Sequence, residues 1–223
     1  MPDSLPVLKK KLLSHPYVQK SKKIIEDNVC HPNESLYHHL TTTSQRAENA
    51  TKGEFITDSG AKKQFEMSMN NEVHGMKYRE IAIVVALLHD IGKILVYNEN
   101  GKQFPLNESQ KDGTTHAPGH EYWGSTIAPT ILSDVGVEEE LALFIAKLIG
   151  LHGLLLFPNF DRSKTVQENI SLVKTLGQEY EKEILFNTYA DVALCPIFKD
   201  WLAMIEHMFN TREFYVKREY VVI

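Results

Sequence analysis

The chain has 223 residues, 43% hydrophobic and 24% charged, which suits one globular domain and excludes a fibrous or wholly disordered protein. A net charge of -5 and a pI near 6.1 supply no overall attraction for nucleic acid, and no apolar run approaches the roughly 20 residues of a membrane-spanning helix. Met1 to Lys11 is polar and lacks the apolar core of a secretory signal, and Cys30 and Cys195 form no Cys-x-x-Cys pair. The expectation is therefore a cytoplasmic protein with neither a disulfide framework nor a cysteine zinc site.

From Leu5 to Asn28, apolar residues at helical spacing are interrupted by His15-Pro16, which predicts two short helices, with Lys20, Lys22 and Lys23 on a solvated face. A third helix is expected from Glu34 to about Thr51. Lys52 to Lys77 is polar and carries Gly53, Gly60 and Gly75, so it reads as loop with one short helix near Lys62 to Met69. Tyr78 to Tyr97 gives the clearest helix: Ile81, Val84, Val85, Leu88 and Ile91 make one apolar face, and the other faces are apolar too, which predicts a central, buried element. Asn98 to Gly119 is a candidate lid or hairpin. Helices follow at about His120 to Leu132, Glu138 to Leu151, Thr165 to Gly177, Glu179 to Leu194 and Pro196 to Phe209, and the tail from Phe214 to Ile223 could form a strand.

Chemistry is signalled by where certain residues fall. His39, the pair His89-Asp90, His120, His152 and Asp191 each lie on, or at the edge of, a different predicted helix. Imidazole and carboxylate together suit ions such as Zn, Fe and Mn, whereas Mg and Ca prefer oxygen alone. Asp90 closes a strongly apolar helix, so if buried it must be paired or bound to metal. Rival motifs fail. His120-Glu121-Tyr122-Trp123-Gly124 lacks the second histidine of a zinc protease, Gly92-Lys93-Ile94 lacks the hydroxyl residue of a phosphate loop, and no Gly-x-Ser-x-Gly elbow occurs. His116 is separated from His120 by Pro118 and Gly119, which argues against a shared helix face.

The run Leu88-His89-Asp90-Ile91-Gly92-Lys93, with a helical histidine before it and a helical aspartate far behind it, resembles the hallmark of the HD-domain superfamily of metal-dependent phosphohydrolases. Gly119-His120-Glu121 with Gly124, and Leu148 to His152, are similar to stretches in the HD domains attached to some bacterial tRNA nucleotidyltransferases. The resemblance implies an all-α helical bundle in a single domain, with a short β hairpin or C-terminal strand as an addition. Residues 1–34 would be N-terminal helices packing on the core, 35–195 the HD domain, and 196–223 a C-terminal helix and tail.

The resemblance further implies that His39, His89, Asp90 and Asp191 hold one metal, and that Asp90 bridges to a second held by His120 and His152. One or two divalent transition ions (Fe, Mn, Zn, Ni or Co) would be the cofactor. His38 competes with His39 as first ligand; His39 is favoured because Thr43 and Ala47 then take the spacing of that helix in relatives. Catalytic roles would fall to Asp90, to Lys93, one turn beyond His89 and able to reach a phosphate, and to Glu121, able to orient the attacking water. The long interval from His39 to His89 would bring residues 52–77 near the site or over it. The expected activity is hydrolysis of a phosphomonoester or phosphodiester of a nucleotide or nucleic-acid terminus. A di-iron oxygenase acting on small polyols or phosphonates, and a non-catalytic metal- or nucleotide-binding module, are the alternatives. The expected partner is a small phosphorylated substrate; charge supports no nucleic acid, and no membrane is involved.

Overall fold

The computed structural model describes residues 4–97, 117–155, 175 and 178–215. Helix α1 (Leu5–Ser14) buries Leu8 and Leu12. His15, held in extended backbone before Pro16, ends it, and its ring accepts from the Tyr17 N–H to open α2 (Pro16–Lys20). The helix expected to reach Asn28 stops sooner. Ile25–Glu26 form β1, paired antiparallel with β2 (Glu34–Ser35) in the register Ile25↔Ser35 and Glu26↔Glu34. The loop between them turns on the Asn28 side chain, which accepts from the N–H groups of Cys30 and His31, and on Asn33 at a φ of 51°.

Ser35 then caps α3 (Leu36–Ala50), accepting from the His38 N–H, and one stripe of that helix is buried: Leu36, His39, Leu40, Thr43, Ser44, Ala47 and Ala50. Helix α4 (Ser59–Asn70), capped by Asp58, is longer than the short helix expected there. Its Phe65 packs edge-on against Phe55 and Phe209. Aromatic burial thus knits the 52–77 insert to the C-terminal helix and, through Phe55–Tyr189 and Phe65–Phe186, to the helix that carries Asp191. A hairpin of β3 (Glu72–Val73) and β4 (Met76–Lys77) turns through His74 and Gly75, both at positive φ.

Helix α5 (Tyr78–Leu88) has no polar face to offer solvent, and every residue from Ile81 to Leu88 is buried, as the pattern predicts. Ser44 of α3 donates to the Ile83 carbonyl across the pair. The expected continuation to Tyr97 is broken: residues 89–92 form a turn before α6 (Lys93–Val96). The break is where α7 (His120–Asp134) crosses. A Cβ on Gly92 would lie 2.0 Å from the His120 carbonyl oxygen and 2.3 Å from the Gly124 nitrogen, so only glycine lets the two backbones touch. Helix α8 (Glu139–Leu151) buries Leu141, Ala142, Ile145, Ala146, Leu148 and Ile149, and packs on α7 and α5. Helix α9 (Glu181–Val192) lies across α3 and α5, and α10 (Lys199–Phe209) follows it.

The described residues are mostly helical with two small two-stranded sheets, so the expectation of an all-α fold with a short hairpin holds. The candidate lid (98–116, with His116), the helix expected from Thr165 to Gly177 apart from Thr175, and the tail beyond 215 fall outside the described residues; Phe214 sits in a short 3-10 turn. No helix among the described residues is long and apolar enough to cross a membrane.

The Gly92 crossing makes a direct prediction. Gly92→Ala should cost about 3 kcal/mol or more, because backbone cannot yield as a flexible side chain does. Gly75→Ala, at a φ of 79° with open space around it, should cost only about 1 kcal/mol. Urea unfolding of the two variants measures the difference, and equal stabilities would refute the close crossing.

Candidate metal centre

The ends of four helices and the buried stripe of a fifth deliver the polar residues to one place. His39 lies on the buried face of α3, His89 and Asp90 in the turn after α5, His120 at the first position of α7, His152 directly after α8, and Asp191 near the end of α9. His39, His89, Asp90 and His152 are 1%, 0%, 4% and 3% exposed, so none is solvated by bulk water and each must find its partners inside. His38, by contrast, is exposed and lies 3.8 Å from Glu34, outside the buried group that His39 joins.

Two groups form around the two oxygens of Asp90. In the first, His39 Nε2 lies 3.1 Å from His89 Nε2, 3.2 Å from Asp90 Oδ2 and 3.2 Å from Asp191 Oδ1. His89 Nε2 is 3.4 Å from Asp90 Oδ2 and 3.3 Å from Asp191 Oδ1. In the second, Asp90 Oδ1 is 2.7 Å from His120 Nε2 and 3.4 Å from His152 Nε2, and the two ring nitrogens are 3.2 Å apart. Donors about 2.1 Å from a common ion stand about 3.0 Å apart at octahedral right angles and about 3.4 Å apart in a tetrahedron. The observed spacings fall close to that interval.

The hydrogen bonds behind the rings decide what the Nε2 atoms carry. Nδ1 of His89 donates to the Ala86 carbonyl (2.9 Å), Nδ1 of His120 to Ala117 (2.6 Å) and Nδ1 of His152 to Ile149 (2.6 Å). A carbonyl only accepts, so Nδ1 bears the hydrogen in each ring, and in the neutral form Nε2 presents a lone pair. Lone pairs therefore converge on one another and on carboxylate oxygens, an arrangement that repels itself unless a cation is shared. The buried cluster is compatible with a metal ion, whose identity its donors leave open among the transition metals.

Protons compete for the same place. Burial would lower the His89 imidazole, but the fields of Asp90 and Asp191 outweigh it and push it up to about 10. His39 is raised against the same burial by hydrogen bonds to Asp191 and Asp90. Both carboxylates are held well below the usual range in spite of burial, Asp90 chiefly by Lys93 and His89, Asp191 by His89 and His39. For His152 burial dominates and the ring is lowered.

The residues expected to act beyond ligation are placed differently from one another. Lys93 is buried, its Nζ 2.7 Å from Asp90 Oδ2 and 2.9 Å from Glu26 Oε1. It braces Asp90 rather than projecting into open space. Glu121 Oε2 is 3.5 Å from His120 Nδ1, on the ring edge opposite Asp90, and its carboxylate lies against Gly153.

Three supporting groups escaped the sequence reading. Glu26 on β1 holds Lys93. His31, fixed by Glu34 at 2.8 Å, sets its ring 4.2 Å from that of His39. Arg46, one turn along α3 from Thr43, donates to the carbonyls of Ala190 and Asp191 and so sets the end of α9 beside α3. The signal for Arg46 was its place at i+7 from His39; Glu26 and His31 could be found only by knowing the hairpin. The two cysteines are also paired, Cys30 to Cys195 across 165 residues, which corrects the expectation that they stand apart. Their separation in sequence hid a contact that only the fold creates.

No family model matches the chain, and no curated protein matches it.

Since a protonated imidazole cannot ligate, Mn2+ binding at pH 7 should release about one proton, principally from His89. Apparent affinity should therefore climb about tenfold per pH unit between about pH 6 and 8, still below the pKa near 10 of the His89 ring. Calorimetric titrations in buffers of different ionisation heat count that proton, and a pH-independent affinity would contradict the assignment of His89 as a ligand.

Proposed function

We propose that this chain is a metal-dependent phosphohydrolase of the HD superfamily, hydrolysing a phosphomonoester or phosphodiester of a nucleotide or nucleic-acid terminus. The observation that carries the reading is the division of Asp90, with Oδ2 facing His39 and His89 and Oδ1 facing His120 and His152. His39, His89, Asp191 and Asp90 would hold one divalent ion, and His120, His152 and Asp90 a second. Such ions supply Lewis acidity, making a bound water acidic enough to give hydroxide near neutral pH and polarising a phosphoryl oxygen.

The chain's own residues prepare the site for that chemistry. Once a metal displaced the proton of the raised His89 ring, the imidazoles would be neutral donors beside the carboxylates of Asp90 and Asp191, with Lys93 shared between Asp90 and Glu26. Two negative charges invite a divalent cation without making the filled site repel a phosphate. Lys93 fixes the orientation of Asp90, and so the direction in which each oxygen points. Carbonyl hydrogen bonds keep three rings in the Nδ1–H form, with the ligating nitrogen inward.

The same donors would also serve a di-iron oxygenase, and one set of assays separates the two. Protein purified without chelator should release phosphate from p-nitrophenyl phosphate, bis(p-nitrophenyl) phosphate or a nucleoside monophosphate panel under anaerobic conditions, stimulated by Mn2+. Asp90→Ala should lose at least about 100-fold in rate together with the bound metal, whereas His152→Ala should keep part of the metal. Stoichiometric iron with oxygen consumption and no phosphate release would replace the hydrolase by the oxygenase, and full activity of Asp90→Ala would end both.

A further inference from the structure

We propose that Cys30–Cys195 is a reversible redox latch on the metal centre, a modification site closed by a small-molecule disulfide and opened by a reductant. The inference rests on the metal-centre reading above and extends it to regulation.

The position of the bond is the first ground. Cys30 immediately precedes His31, whose ring stands 4.2 Å from that of His39. Cys195 lies one helical turn beyond Asp191, its N–H donating to the Val192 carbonyl at 2.9 Å. The bond therefore joins the segments that stand behind two members of the same cluster, His39 and Asp191.

The second ground is the small size of the hairpin. The strands share two residue pairs, and a ribbon that short is not stable alone. Its base is tied to the core through the Leu36 N–H to Ile24 carbonyl bond and the buried Glu26–Lys93 pair. At the tip, the bonds from Cys30, His31 and Asn33 to the side chains of Asn28 and Asp27 stay within the loop. The disulfide is the covalent link from that tip to α9.

Access supplies the third ground. Cys30 is half-buried and Cys195 is buried, so an incoming reagent meets Cys30 first. The Cys30 thiolate attacks one sulfur of a small-molecule disulfide and expels the first thiolate. The Cys195 thiolate then attacks the Cys30 sulfur of the mixed disulfide and expels the second. Two protein thiols lose two electrons and two protons, and one external disulfide becomes two thiols. With the latch open, the Glu34–His31 prop loses its fixed place behind His39, and the turn after Asp191 loses its tether. Loss of such supporting contacts typically weakens metal binding about 10- to 100-fold.

The test uses the full chain, equilibrated anaerobically with oxidised glutathione or with a phosphine reductant, and counts free thiols by alkylation and mass spectrometry. Mn2+ is the probe, because thiolates compete poorly for it, and its affinity is read by electron paramagnetic resonance. The oxidised protein should resist alkylation at both cysteines and bind Mn2+ about tenfold or more tightly than the reduced protein. A Cys30→Ser/Cys195→Ser variant should match the reduced value under both conditions; if it does not fold, the two thiol states of the unaltered chain decide alone. Failure of the bond to form, or equal affinities in the two states, overturns the latch while leaving the metal centre intact. No Mn2+ binding in either state overturns the metal centre, and the latch with it.

Discussion

One buried carboxylate organises the structure. Asp90 is 4% exposed and presents each oxygen to a different pair of imidazoles, while Lys93 holds it from behind. An ionised carboxylate in such a place costs several kcal/mol unless its charge is answered, and an answer from Lys93 alone leaves four converging ring nitrogens without a common donor. Everything near Asp90 follows from satisfying that demand. The turn after α5 turns it inward, Gly92 lets α7 come close enough to supply His120, and α8 ends where His152 can reach the same oxygen.

The helical frame was legible because its causes are local. Stripes such as Leu36, Leu40, Thr43 and Ala47 on α3, and the all-apolar α5, announce burial through spacing alone. The six members of the cluster were legible for a related reason: histidines and aspartates at the ends of apolar helices have no cheap place to go except toward one another. The structure sets all six around Asp90, with His39 buried among them and His38 exposed.

What stayed hidden depends on contacts between distant segments. Ile25–Glu26 continue a helical pattern on paper, yet pairing with Glu34–Ser35 makes them strand, a case of tertiary pairing overriding propensity. Because Glu26, Cys30, His31 and Glu34 all sit on that hairpin, one misread element concealed the whole back wall of the centre. The partners of Lys93 stayed hidden for the opposite reason. Its i+4 spacing from His89 is right, but an ammonium beside open space and one clamped between two carboxylates look the same in sequence.

The position of Lys93 also bears on how the buried carboxylates are held in place. Buried carboxylates need an answering charge, and Lys93 beside Asp90, with the raised His89 imidazole beside Asp90 and Asp191, supplies it. Behind these groups stands a second rank, the Glu34–His31 pair against His39 and Arg46 beside Asp191. Glu34 and His31 belong to a hairpin of two residue pairs and Asp191 to a helix end, elements with little packing of their own, and the Cys30–Cys195 bond joins those two places to each other.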